Sequence, residues 1–202
     1  MNKPAATVFY NGTYDFFIWP LKESKKDSEL YEKNGVYDYC RDLSSVHHKD
    51  YSSSELTELH IKRAKDLADN IVYTIKEHIK QKTVADVYVS SEGLSYGSKG
   101  DATLNLATYK AVLLVKLLEN FDVKRLMTFS PISIKAVAGC AGKDKVKDKN
   151  AMINSFKEES LDHPFKNNIE EFKKKTNYTQ CVDDIVDSYF CLKKMLMELE
   201  QI

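Results

Sequence analysis

The chain has 202 residues, enough to bury a core without disulfides or metals, and its 43% hydrophobic and 30% charged residues exclude disordered, collagen-like and coiled-coil polymers. Its 30 basic and 30 acidic side chains leave no net charge, so any attraction to nucleic acid has to be local. No apolar run approaches a membrane span, the N-terminus lacks signal-peptide regions, and the 4 cysteines have no Cys-x-x-Cys spacing, which points to a cytoplasmic chain with reduced thiols.

In chain order, Ala5 to Tyr10 and Tyr14 to Trp19 are rich in β-branched and aromatic residues and flank Asn11-Gly12. Asn-Gly supplies the positive φ angles of a tight turn, so the segment predicts a hairpin that ends at Pro20. Lys22 to Lys33 reads as a charged loop, Gly35 to Cys40 as a third strand, and Ser44 to Ser54 as a connection. Ser52 to Glu55 has a capping-box pattern, after which Leu56, Leu59, Ala64, Leu67, Ala68, Ile71, Val72, Ile75 and Ile79 trace the core stripe of a long helix.

Ala85 to Ser90 predicts a strand that stops at Glu92-Gly93. A polar, glycine-bearing loop from Ser95 to Gly100 leads into a helix over Ala102 to Asn120, with Leu104, Ala107, Ala111, Leu114, Val115 and Leu118 at helical spacing. Lys124 to Phe129 reads as a buried strand, and Pro131 suits the first turn of a short helix through Val137. Lys135 to Lys149 is locally basic, with lysines at 135, 143, 145, 147 and 149 against Asp144 and Asp148, and is hinged by Gly139 and Gly142. Helices are expected over Asp148 to Glu159 and Ile169 to Lys175, separated by His163-Pro164, and over Val182 to Glu200. The histidines read as surface residues. The chain shows no repeat, no second domain and no nucleotide-binding glycine motif.

Two groups of acids carry the chemistry. Glu92 stands where a strand stops, and in open α/β sheets ligands bind beyond the carboxyl ends of the strands. Asp184 and Asp187, three apart on a helix, share a face with Ser188 and Cys191 beneath them. Like charges at that spacing repel and call for a cation. The plainer reading is that Glu92 caps a loop and the aspartates sit in a first turn favoured by the helix dipole.

Taken in order, the strand-end Glu92, the loop and helix after it, the glycine–lysine segment from Pro131 to Met152 and the closing Asp-x-x-Asp-Ser helix resemble the RuvC-type Holliday-junction resolvases, particularly phage-type members, of the RNase H-like nuclease superfamily. The resemblance covers Val84 to Leu192. Asp184, Ile185, Val186, Asp187 and Ser188 stand where the family carries Asp-x-x-Asp-Ala, and Lys149 precedes Met152 at the family's spacing. It implies a single α/β domain over residues 1–202, an RNase H-like mixed sheet with helices on both faces. It also implies a structure-specific endonuclease that cleaves phosphodiester bonds in branched or four-way-junction DNA and works as a homodimer. Glu92, Asp184 and Asp187 would be its catalytic residues and hold two Mg²⁺ or Mn²⁺ ions, with Asp183 a substitute one residue out of register, while Lys135, Lys143, Lys145 and Lys149 would contact phosphate. Tyr96 is expected to pack rather than stack on a base.

One departure qualifies this. The superfamily opens on a strand bearing a catalytic Asp, and the segment from Met1 to Tyr10 resembles the family's next strand rather than that first one, so the N-terminal strand is missing or replaced. Asp15, inside the hairpin, is a poor substitute. The expectation is that Met1 is internal to a longer product, or that Thr13 to Trp19 or Val36 to Cys40 takes the central place. The rival reading is a catalytically weakened or inactive junction-binding protein of the same fold, and a third is a scaffold whose acids only cap a helix.

Overall fold

The computed structural model describes residues 4–20, 25–39, 51–80, 86–94, 101–141, 150–176 and 180–200 of a mixed α/β chain. It divides into two compact units, one of Leu43–Val89 and Leu94–Leu126 together with Met1, the other of Asn2–Asp42, Ser90–Gly93 and Met127–Ile202.

In the first unit, α2 (Ser53–Ile79) follows α1 (Lys25–Lys33) of the second unit in sequence and starts at the capping box. The Ser52 backbone N–H donates to Glu55 Oε2 at 2.7 Å and the Glu55 N–H donates to Ser52 Oγ at 3.4 Å, so two orphan donors of the first turn are satisfied. The Ser52 hydroxyl donates to Glu55 Oε2 at 2.5 Å, and this bond, with the Ser52 backbone N–H, favours the ionised carboxylate and holds Glu55 below its ordinary pKa. The stripe is buried at Ala64, Leu67, Ala68, Ile71 and Val72 and half-buried at Leu56, Leu59, Ile75 and Ile79. Helix α2 packs along α3 (Asp101–Asn120), and Lys116 bridges to Asp69 at 2.8 Å while Lys76 donates to Asn120 at 2.9 Å. The stripe expected on α3 is not a core face, because Leu104, Ala111, Val115 and Leu118 are exposed. This helix carries apolar residues on several sides, so one neighbour cannot cover all of them.

Strands β4 (Val87–Glu92) and β5 (Val123–Phe129) form a two-stranded sheet. Only Met127 and Phe129 of β5 are buried, so the expected buried strand is buried only at its end. Lys124, between Asp122 at 2.7 Å and Asp86 at 3.7 Å, ties together the starts of the two strands.

The second unit begins with β1 (Ala5–Tyr10) and β2 (Thr13–Ile18), paired antiparallel with Tyr10 opposite Thr13. Asn11 at φ 49° and Gly12 at φ 79° form the two-residue turn, as Asn-Gly predicts. Strand β3 (Val36–Asp38) pairs parallel to β2, which places Thr13–Ile18 at the centre of a three-stranded sheet in the order β1-β2-β3. The strands thus form two small sheets, where one mixed sheet was expected. The segment read as a charged loop contains α1: Leu30 and Tyr31 are buried, and Asp27 and Lys33 sit where the helix dipole favours them. Its polarity hides the two residues that anchor it.

The core of this unit is aromatic. Phe16, Phe156, Phe165, Phe172 and Phe190 are fully buried, with ring centroids of neighbouring pairs 5.2 to 6.5 Å apart. Helices α4 (Pro131–Val137) and α5 (Ala151–Lys157) pack on α8 (Gln180–Glu198), α6 (Pro164–Asn167) packs on α5, and α7 (Ile169–Thr176) follows α6 in sequence. His163-Pro164, read as a break, opens α6 instead. His163 is half-buried rather than on the surface, accepts from the Phe165 N–H at 3.1 Å and meets Phe16 edge-on at 4.7 Å; burial lowers its pKa. Cys140, Cys181 and Cys191 are buried thiols outside any disulfide. Cys40, His47, His48 and most of the Ser44 to Ser54 connection lie outside the described residues.

Candidate functional site

Helix α8 supplies the first half of the site. Its buried face is Cys181, Val182, Ile185, Val186, Tyr189, Phe190 and Leu192, which fixes the rotation of the helix and leaves Asp183 exposed and Asp184, Asp187 and Ser188 half-buried on its other sides. Ser188 is small enough for α8 to lie close against β1. Its Oγ shares a 2.7 Å hydrogen bond with Thr7 Oγ1 and donates to the Ile185 carbonyl at 2.8 Å.

The second half comes from the end of β4. Glu92 is the last residue of that strand, exposed, and the Gly93 N–H after it donates to the Phe129 carbonyl at 2.6 Å. Ser91, before it, shares a 3.2 Å hydrogen bond with Thr128. One residue beyond Phe129, Ser130 caps α4 by accepting from the Ser133 N–H at 3.2 Å, and α4 carries the half-buried Lys135.

These elements converge electrostatically on Asp187. Its carboxyl is pushed up from 3.8 to about 7, first by burial, then by the negative charges of Glu92 and Asp183, with Lys135 pulling the other way. Glu92, some ninety residues earlier in the chain, therefore shares a neighbourhood with Asp187, and so do Asp183 and Lys135. Asp184 lies one turn before Asp187 on the same helix.

Compared with protein-family models, curated proteins and solved structures, the chain matches none. What the site can do therefore rests on its own chemistry. Among the described residues no three His, Cys, Asp or Glu side chains form a ready metal cage. Glu92 and Asp183 raise the proton affinity of Asp187, and hard carboxylate oxygens such as these suit Mg²⁺ or Mn²⁺ better than a soft metal. Lys143, Lys145 and Lys149, expected on phosphate, and Tyr96 lie outside the described residues. Asp15, the only early carboxylate, acts on Tyr37 and His163.

Sequence reasoning assigned Lys135 to phosphate alone and missed its place beside Asp187. Nothing in the spacing of residues 135 and 187 carries that electrostatic influence, which depends on how α4 packs on α8.

Proposed function

We propose that this protein is a divalent-metal-dependent endonuclease of RNase H-like, RuvC-type organisation that cuts branched DNA. Glu92, Asp184 and Asp187, with Asp183 beside them, would hold Mg²⁺ or Mn²⁺, and Lys135, Lys143, Lys145 and Lys149 would hold phosphate. The observation that supports it is the raised carboxyl of Asp187, driven there by burial and by Glu92 and Asp183. A carboxyl so placed is poised to exchange its proton for a cation near neutral pH. Ions held by these residues would supply Lewis-acid activation of water and charge neutralisation at the departing oxygen. Lys135 brings a fixed positive charge to the same place, where it balances part of the acid cluster and meets a phosphate when DNA arrives. A two-fold junction requires two symmetric cuts, which favours a homodimer as the working form.

The test is calorimetric titration of the protein with Mn²⁺ at pH 6 and pH 8, beside cleavage of a labelled four-way junction. Saturable binding that tightens with pH, metal-dependent cleavage, and loss of both in Asp187→Asn are expected. Junction retention without metal binding or cleavage would favour the non-catalytic junction-binding protein instead, and absence of all three would overturn both readings.

A further inference from the structure

The end of β4 is pinned on both sides of Glu92. Along a strand, Ser91 and Gly93 face one way and Glu92 the other. Both flanking residues are bound to β5, Ser91 through the Thr128 hydroxyl at 3.2 Å and Gly93 through the Phe129 carbonyl at 2.6 Å. The second contact leaves a side chain less room than an ordinary van der Waals contact does. A Cβ on Gly93 would stand 3.1 Å from the Phe129 carbonyl oxygen and 3.5 Å from Thr128 Cγ2. A backbone oxygen cannot swing aside as the tip of a long side chain can, so any substitution lifts the strand end from β5 by a few tenths of an ångström and takes its neighbour along.

We propose that Gly93 is a positioning residue for Glu92: the absence of a side chain lets the strand end close onto the Phe129 carbonyl, and this closure aims the Glu92 carboxylate at Asp187. The segment that receives Gly93 continues through Ser130 into α4 and Lys135. A single backbone contact therefore registers an acid from β4 and a cation from α4 against the acid of α8. The inference rests on the reading of Glu92 and Asp187 as one site; its own content is how that site is held.

The experiment is a double-mutant cycle on the full chain, with Mn²⁺ as the probe, read by calorimetry and by the electron-spin signal of free Mn²⁺, alongside melting temperature. Gly93→Ala should weaken Mn²⁺ binding and Gly93→Val should weaken it more, by about tenfold or beyond, the range for residues that orient metal ligands. In a Glu92→Gln background neither substitution should weaken it further, because the group they misplace has already been disabled. Equal weakening in both backgrounds would show a general structural effect and overturn the proposal, as would unchanged affinity in Gly93→Ala and Gly93→Val. If the wild type binds no Mn²⁺, the metal reading fails separately, and metal-free crystals decide: Glu92 turned away from Asp187 in Gly93→Ala supports positioning, and an unmoved carboxylate overturns it.

Discussion

Asp187 gives the protein a pH dependence that a single substitution removes. Its folded-state pKa of about 7 lies above the ordinary 3.8 that it recovers on unfolding, so the folded protein prefers the protonated form. Below the ordinary value both states hold the proton and nothing is lost. Between the two values the unfolded chain releases it while the folded chain keeps it, and stability falls as pH rises, by up to about 1.4 kcal/mol per unit. Above the folded value the loss levels off at up to about 4 kcal/mol, of which roughly 2.5 accrues between pH 5 and pH 8. In Asp187→Asn this contribution is absent. Urea unfolding of the metal-free protein should therefore show the variant gaining on the wild type by roughly 2.5 kcal/mol from pH 5 to pH 8. Mn²⁺ at a hundred times its dissociation constant should return about 2.7 kcal/mol to the wild type at pH 8 and much less to the variant. Parallel pH profiles for the two proteins would refute the argument, since the acid would then be neither buried nor crowded by Glu92 and Asp183.

Gly35 adopts φ 71°, and a Cβ there would stand 3.3 Å from the His163 ring, so Gly35→Ala should cost about 1–3 kcal/mol and lower the melting temperature by several degrees; an unchanged melting curve would refute the packing described. Glu159 accepts from the Tyr189 hydroxyl at 2.9 Å and from Lys193 at 2.5 Å, and burial together with this bond raises the Tyr189 pKa. Glu159→Ala leaves a partly buried ammonium and phenol without that acceptor and should cost about 2–3 kcal/mol in urea unfolding, with a loss below about 0.5 counting against the network.

What was legible in the sequence was mainly local. The Asn11-Gly12 hairpin and the Ser52–Glu55 cap are written within four residues, because turn angles and first-turn hydrogen bonds involve only neighbours, and both stand in the structure. Helix α1 was hidden because it anchors through only Leu30 and Tyr31 amid charge, and His163 was misread because its burial is decided by Phe16, far away in sequence. The stripe on α3 failed for the opposite reason: the helix has apolar residues to spare, and periodicity does not say which of them a neighbour covers. The influence of Glu92 on Asp187 spans some ninety residues of chain, and no periodicity records it. The part played by Lys135 had no such signal, since packing of α4 on α8 creates it.

Among the described residues, three buried thiols give the second unit an internal clock. Cys140 lies just past α4, and Cys181 and Cys191 lie nearly three turns apart on α8, each shielded in the folded protein. A thiol reagent reaches them only when the surrounding structure opens, so labelling at each one proceeds at the intrinsic thiolate rate multiplied by the fraction of time that its own segment is open. Equal labelling rates at Cys181 and Cys191 would mean that α8 leaves the core as one body. Faster labelling at Cys181 would mean that the helix frays from the end that carries Asp183, and that the acid cluster sits on the first part of the core to loosen.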